Sequence, residues 1–497
     1  MRVRFGLQAM LAAALAGCTT PRAAAPPSSN LTAIEAALRT QVEVLASDDF
    51  AGRQPGTEGE AKTLRYLARE WQALGLQSGT NDPANAWYAP VNLALSTPAT
   101  SSARFFRSGK AIAVPDGEVA VFTGGSRSLL DKAPLIFVGN QNDGFDAAAV
   151  AGRIAVTLWD HAGQSEQRDA LVHAGAAAVL AIVRDDDEYA AHTAYRARGG
   201  YRLASMEGSD AIEGFMTLEA GASLIGEQRL AKLIAGAVAD TSRPVPLDIT
   251  ASLEATSTPG TVRTHNLIAK LPGKLAGSGA VLVLAHWDHF GTCAAPPATD
   301  TICNGAVDNA SGLAVMTELA RRLAAGPRLA RDVYFLATTA EEWGLLGAQA
   351  FAENPPVPLD TIVAAFNLDT VAVAPAGGPV AIVGKGLTPL DPGILEVLRA
   401  SGRVESTEKH AEAYVRRQDG WALIQRDVPA VSVTSAFARE GPLSLFITER
   451  YHQASDEAAG IEYGGAAEDL LLNLALVRYF ADPSKWAATA GKSAGAP

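Results

Sequence analysis

The sequence predicts an α/β protein built on a mixed, mostly parallel sheet that is flanked by helices. Three apolar runs carry this prediction, at residues 281–288, 333–337 and 361–370. Each run is rich in Val, Ile, Leu, Ala or Phe and has the length of a strand. A segment of helical length separates each run from the next, which is typical of βαβ units in one sheet.

A polar side chain ends each run or lies in the turn after it. Two further candidates are an aspartate in the loop before a helical segment and a histidine in the C-terminal part of the chain. These residues are His286, Asp288, Asp308, Glu341, Glu342, Asp369 and His452. The carboxyl ends of the strands are where an open α/β sheet places its active site. Zinc binds mixed His nitrogen and carboxylate oxygen, so this set has enough ligands for two ions. Any one of these residues alone could be a helix cap, but together they indicate metal-assisted hydrolysis.

Five segments occur in order along the chain: AHWDHFG, NGAVDNASG, TAEEWGLLGA, FNLDT and YHQASDE. They closely resemble the motifs of the zinc aminopeptidase family called M28, whose members are di-zinc exopeptidases. The resemblance covers roughly residues 31–481 and implies the zinc-exopeptidase fold.

The resemblance implies two zinc ions per chain and a ligand set for each. Asp308 matches the family's bridging carboxylate. His286 and Asp369 would complete one zinc site, and Glu342 and His452 the other.

The resemblance also implies roles for the neighbouring residues. Glu341 would be the general base, and the Asp288 carboxylate would hold the His286 ring and set its tautomer. The peptide bond Asp308–Asn309 matches a bond that relatives hold in the cis form. His289 has no family role and is expected to be structural or to support the ligands.

One segment departs from the family pattern. Many relatives read Arg-Ser-Asp-His where this chain has Arg417, Gln418, Asp419 and Gly420. The segment borders the substrate in relatives, so their specificity cannot be carried over. Tyr414 and Arg417 are candidates for contacts with the substrate or the oxyanion, and loop packing is the alternative.

The N-terminus predicts export. A basic start and an apolar stretch lead to Leu15-Ala16-Gly17-Cys18, which resembles a bacterial lipobox. Residues 1–17 would be the signal peptide, Cys18 the lipidated residue and residues 18–30 a flexible tether. The expected location is the periplasmic side of the cell envelope, with attachment to the outer membrane. An ordinary signal peptide that is cut elsewhere is the alternative.

The two remaining cysteines, Cys293 and Cys303, both lie in the loop between His286 and Asp308. In an exported protein an even pair predicts a disulfide. Closing so short a loop would stabilise the fold by about 2–3 kcal/mol.

A change of sequence character between residues 118 and 249 predicts an inserted domain. Its runs LIFVG, RIAVTLWD and AAAVLAIV indicate a β-rich unit that resembles the protease-associated domain. The peptidase domain is then discontinuous, at residues 31–117 and 250–484, with a flexible tail at 485–497. The inserted domain could recognise substrate, act as a lid or be a passive spacer. Its histidines, His161, His173 and His192, are expected to be structural.

Composition bounds the partners. A formal net charge of -12 over 497 residues, with no basic stripe, argues against a nucleic-acid partner. The resemblance implies an aminopeptidase that acts on peptides. A carboxypeptidase or dipeptidase, a glutaminyl-cyclase-like enzyme and a non-catalytic binding protein remain alternatives, and the sequence does not indicate an oligomeric state.

Overall fold

The structure is a computed structural model that describes residues 28–140, 146–159, 164–239, 243–294 and 298–487. The predicted signal peptide, Cys18, most of the tether and His161 lie outside these residues, as does most of the tail. Among the residues described, no helix is both long and apolar enough to cross a membrane.

The N-terminal segment forms two helices and the first strands of the sheet. Its elements are α1 (Ser28–Leu45), α2 (Glu58–Ala73), β1 (Gln77–Ser78), β2 (Tyr88–Arg107) and β3 (Lys110–Ile112). In α1, Ile34, Leu38, Val42 and Leu45 are fully buried. Their spacing of three or four residues places them on one helix face, so α1 packs on the core along that face.

The inserted segment alternates strands and helices. Its elements are β4 (Val119–Thr123), β5 (Arg127–Gly139), α3 (Ala147–Val150), β6 (Ile154–Leu158), α4 (Gln164–His173), β7 (Ala178–Val183), α5 (Asp186–Ala197), β8 (Gly200–Leu203), β9 (Ile212–Thr217), α6 (Leu218–Ile225) and α7 (Glu227–Val238). Strand β10 (Val245–Leu271) then leads from the inserted segment to the C-terminal half.

The C-terminal half contains most of the predicted peptidase domain. Its elements are β11 (Ala280–His286), β12 (Gly291–Thr292), β13 (Ile302–Cys303), α8 (Ser311–Ala324), β14 (Asp332–Thr338), α9 (Leu346–Glu353), β15 (Ile362–Asn367), β16 (Ala381–Val383), α10 (Asp391–Ala400), α11 (Gly420–Ile424), β17 (Ala430–Thr434), α12 (Glu440–Glu449) and α13 (Gly464–Phe480).

The predicted mixed, mostly parallel sheet is confirmed. Strand β11 lies parallel to β14 and β15, and β17 continues the parallel order beyond β15. Strands β10 and β16 join it antiparallel. Every residue of β11 is buried, because its two faces pack in different hydrophobic cores. Val281, Val283 and Ala285 face the core that contains α1, α8 and α13, while Leu282 and Leu284 face the core of α9 and α11.

The inserted segment has a separate hydrophobic core, which extends from Phe105 to Ala255. It therefore begins before and ends after the predicted limits of 118 and 249, because the long strands β2 and β10 pair through both halves of the molecule. The insert is also an α/β unit rather than the predicted β-rich one. Its strands β5, β6, β7 and β9 are parallel and helices separate them. The likeness to a protease-associated domain stays a prediction.

Candidate metal centre

The carboxyl edge of the parallel strands brings together the polar side chains that the sequence singles out. His286 is the last residue of β11, and Glu341 and Glu342 form a 3₁₀ turn just after β14. Asp369 follows β15, and Asp308 lies in the turn that opens α8. Asp308 contacts both His286 and His452, whose own loop follows α12.

One half of the cluster consists of His286, Asp308 and Asp369, all of them buried. The Nε2 atom of His286 lies 3.1 Å from Asp308 Oδ1 and 3.5 Å from Asp369 Oδ1. Burial alone would lower the pKa of His286, but the charge of Glu341 and the bonds to Asp308 and Asp369 raise this pKa well above its ordinary value. An imidazole between buried carboxylates fits a zinc ligand set.

The other half centres on Glu342. The Nε2 atom of His452 lies 3.0 Å from Glu342 Oε2 and 3.5 Å from Asp308 Oδ2. The Nδ1 atom of His289 lies 2.5 Å from the other oxygen of Glu342, so His289, Asp308 and Glu342 form a second candidate group for a metal. We favour His452 as the ligand because its nitrogen directly faces oxygens of both carboxylates, which leaves His289 to orient Glu342.

Asp308 lies between the two halves, with one oxygen toward His286 and the other toward His452. Burial would raise its pKa, but hydrogen bonds with these two histidines hold the pKa well below the ordinary value. Buried Asp456 accepts hydrogen bonds from the backbone N–H groups of Val307, at 3.1 Å, and of Asp308, at 3.0 Å. The bond Asp308–Asn309 is cis, which confirms that prediction. Asp456 was not assigned a role from sequence, although the YHQASDE segment contains it.

The prediction for the Asp288 carboxylate needs correction. The Nδ1 atom of His286 lies 3.2 Å from the backbone carbonyl of Asp288 and 3.9 Å from the nearer carboxylate oxygen. The carboxylate instead accepts hydrogen bonds from the backbone N–H groups of Glu341, at 3.0 Å, and Glu342, at 3.4 Å. The backbone carbonyl thus faces the ring, because the carboxylate is turned toward the glutamates. Burial raises the pKa of Asp288 to about 7.

Glu341 differs from its neighbour Glu342. Its Oε2 lies 3.9 Å from His286 Nε2, outside hydrogen-bond range, and its side chain lines a cavity of about 420 Å³. Burial raises the pKa of Glu341 well above its ordinary value, although the charge of His286 opposes this. For Glu342, burial acts in the same direction, but His452 and His289 lower its pKa to about 2. A carboxylate with a high proton affinity at a cavity suits proton transfer.

Tyr414 and Arg417 both line this cavity, and their contact with substrate stays a prediction. Arg417 Nη2 donates a hydrogen bond to the Tyr451 hydroxyl at 3.3 Å, and its guanidinium lies over the Tyr414 ring. Tyr451 also stacks on His452, with ring centroids 3.6 Å apart. Sequence analysis missed Tyr451, although its position before His452 could have indicated it.

The rest of the cavity wall consists of Asp308, Asp369, Thr370, Gln418 and an apolar part. The apolar residues are Phe437, Leu443, Phe446 and Ile447. Gln418 is 4% exposed, and its Nε2 atom has no hydrogen-bond partner among the described residues. A buried amide donor at the cavity can bind a substrate carbonyl, and this residue is one of those where the chain departs from its relatives.

Arg53 connects the N-terminal segment to both ligand loops. Its side chain is fully buried. The guanidinium donates hydrogen bonds to the carbonyls of Trp287 at 2.9 Å, Asn304 at 2.5 Å, Gly305 at 2.8 Å and Leu45 at 2.8 Å. Sequence analysis assigned no role to it.

Cys293 and Cys303 form the predicted disulfide. The disulfide cross-links the loop between His286 and Asp308, so it restrains the segment that joins two candidate ligands. In the inserted domain, His192 stacks on Phe215, and His173 Nδ1 lies 2.8 Å from the carbonyl of Asp169.

Several known proteins are similar to this chain or to part of it. Residues 266–476 match the model described as peptidase family M28. The aminopeptidase from Aneurinibacillus sp. strain AM-1 is 21% identical and has the same fold, with 94% of this chain and 98% of that chain covered at a TM-score of 0.57. A zinc aminopeptidase from Bacillus subtilis is 18% identical, with 92% and 97% covered and a TM-score of 0.48. A vacuolar membrane protease of Pyricularia oryzae is 37% identical over 95 residues, which are 19% of this chain but only 8% of that protein.

Proposed function

We propose that this chain, whose residues 266–476 match the model of peptidase family M28, is an aminopeptidase that releases N-terminal residues from peptides with two zinc ions. The observation that carries the proposal is the buried cluster in which Asp308 faces His286 on one side and His452 on the other. Asp369 adjoins the first of these groups and Glu342 the second.

The donor set fits zinc. Each half of the cluster offers one imidazole nitrogen and oxygens from buried carboxylates, which is the mixed set that zinc binds in catalytic sites. His286, Asp308 and Asp369 would hold one ion, and His452, Asp308 and Glu342 the other. Two bound ions would lower the pKa of a water molecule and polarise the scissile carbonyl.

The residues of the chain have separate tasks in this reaction. Glu341 takes the proton of the attacking water and returns it to the leaving amine. Its carboxyl group is protonated between these two steps, and burial favours this form. Asp288 holds the Glu341 backbone and so positions the base. The Tyr451 hydroxyl, with Arg417 beside it, can donate to the oxygen that becomes negative in the transition state.

The cavity beside Glu341 has the character of a subsite for the N-terminal residue. The apolar wall accepts a large side chain, and Glu341, which is not a proposed zinc ligand, is the carboxylate there that can attract a free amine. Arg417 on the same wall is the feature that favours the second candidate, a carboxypeptidase, because a guanidinium can bind a terminal carboxylate.

The test combines substrate and metal. We expect the purified protein to hydrolyse a peptide with a free N-terminus and not the same peptide with an acetylated N-terminus, and elemental analysis to give two zinc ions per chain. Amidation of the C-terminus separates the candidates, since a carboxypeptidase loses its substrate on amidation and tolerates acetylation. One zinc ion per active chain would refute the co-catalytic assignment.

We also propose that the protein is an exported lipoprotein. The lipobox-like segment that ends at Cys18 supports this, and mass spectrometry of the protein from its native envelope should find a diacylglycerol on Cys18. A soluble mature form that lacks Cys18 would refute the anchor.

A further inference from the structure

A second cavity lies at the junction of the inserted and peptidase domains. It has a volume of about 370 Å³ and is lined mainly by aromatic and polar side chains, among them Gln54, Tyr195, Arg198, Tyr201, Phe290 and Trp343. Tyr195 belongs to α5 and Tyr201 to β8, so the inserted domain supplies one wall. The peptidase domain supplies the opposite wall.

This cavity adjoins the half of the metal centre that contains Glu342 and His452. Its wall residue Phe290 packs edge-on against the His452 ring, with centroids 4.6 Å apart. The Tyr195 hydroxyl lies 3.5 Å from the backbone carbonyl of Glu342. Tyr451, which lines the first cavity, also contacts His452, because the two rings stack. The two cavities therefore flank the metal centre, and His452 lies between them.

The two cavities differ in charge. Glu341 and Arg417 line the first one, together with Asp308 and Asp369, whose charge the proposed zinc ions would balance. Among the described residues that line the second one, Arg198 is the single charged residue and none is a carboxylate. Within the described residues Arg198 has no ion pair, and its hydrogen bond goes to the carbonyl of Cys293. Since a guanidinium has five N–H donors, Arg198 keeps donors for a carboxylate at the cavity.

Building on the proposed function, we propose that the second cavity binds the leaving part of a short peptide and that the inserted domain thereby selects substrates. The residue after the scissile bond would place its side chain among Tyr195, Tyr201, Phe290 and Trp343, since aromatic rings favour an apolar or aromatic side chain. Arg198 would bind the terminal carboxylate when the peptide is two or three residues long. The free amine goes to the cavity beside Glu341 and the carboxylate to the cavity beside Arg198.

The test uses the dipeptide Leu-Phe and its C-terminal amide, because only the first has the carboxylate. We expect the full-length zinc-loaded enzyme to prefer the acid, and Arg198→Gln to lower the acid-to-amide ratio of kcat/KM at least tenfold, which corresponds to about 1.4 kcal/mol. Arg184→Gln is the matched control, since it removes the same charge from an exposed position on the inserted domain. It should keep the wild-type ratio.

A longer peptide gives an internal comparison. When four glycines follow Leu-Phe, the carboxylate lies beyond the cavity, so the acid and the amide should react alike. The inference is overturned if Arg198→Gln and Arg184→Gln give the same ratio for the dipeptides, or if the long peptides show the dipeptide preference.

A binding experiment separates the subsite from turnover. Calorimetry of both dipeptides with Glu341→Gln protein, with and without Arg198→Gln, measures the acid-to-amide ratio of binding affinities. A wild-type protein that binds the acid but hydrolyses neither peptide would refute the proposed function and not this subsite.

Discussion

Replacing Arg53 with methionine should strongly destabilise the protein, although Arg53 is not a ligand candidate. The guanidinium is fully buried and donates to the carbonyls of Leu45, Trp287, Asn304 and Gly305. An unsatisfied buried polar group costs about 1–3 kcal/mol. Four such carbonyls therefore predict a loss of about 4 kcal/mol or more, a large fraction of the roughly 5–15 kcal/mol that stabilises a typical domain.

The assay is urea unfolding of zinc-free protein, with the free energy of unfolding extrapolated to water. Arg53→Lys should lower the free energy of unfolding less than Arg53→Met does, because an ammonium group keeps three donors. At least one of the four carbonyls is still left unpaired. Arg65→Met is the control. Arg65 pairs with Glu58 at 2.9 Å on the exposed face of α2, and exposed pairs contribute only about 0–1 kcal/mol.

Zinc binding tests the role of Arg53 in a second way. Arg53 holds the carbonyl of Trp287, the neighbour of His286, and the carbonyl of Gly305, which precedes Asp308 by three positions. Arg53→Lys should therefore weaken zinc binding in the folded protein, measured by competition with a chelator. The reasoning is refuted if Arg53→Met is no more destabilising than Arg65→Met.

The remaining predictions concern the base, a ligand, the disulfide and the oxyanion. Glu341→Gln should keep two zinc ions and lower kcat by about 10²–10⁴-fold; loss of zinc from this variant would contradict its assignment as the base. Glu342→Gln should lose zinc and regain part of its activity in excess zinc, as measured by activity against zinc concentration, and no response to zinc would count against it as a ligand. The double replacement Cys293→Ser and Cys303→Ser should lower the free energy of unfolding by about 2–3 kcal/mol, and an unchanged urea midpoint would rule this out. Tyr451→Phe should lower kcat about 10²-fold or more with little change in KM, whereas a rise in KM alone would indicate a binding role.

Much of the metal centre could be predicted from the sequence, because strand ends and metal ligands are local features. A buried parallel strand is a short apolar run, and the polar residue that ends it lies at the functional edge of the sheet. His286 and Asp369 were predicted in this way, and in the structure the His286 Nε2 atom lies 3.5 Å from Asp369 Oδ1. The disulfide was also predictable, since its cysteines are separated by only ten positions.

The error at Asp288 arose because its side chain has a choice of nearby partners. Asp288 is adjacent to the His286 loop, so its carboxylate was expected on that ring. The backbone N–H groups of Glu341 and Glu342 compete for the same oxygens, and the turn after β14 brings them within hydrogen-bond range. Sequence spacing does not resolve such a competition, because it is decided by less than an ångström: the Asp288 carboxylate lies 3.0 Å from the Glu341 nitrogen and 3.9 Å from the His286 ring.

By itself the sequence determined the sheet class, the order of the candidate ligands and the cysteine pair. Tertiary structure alone decided how Arg53 ties the ligand loops together and which residues form the second cavity. Arg53 and Trp287 are 234 positions apart, and Tyr195 and Glu342 are 147 apart. Periodicity and motifs report only neighbours along the chain. Contacts between distant segments form when the packing of buried surfaces sets the relative position of two domains, and no local pattern contains that information.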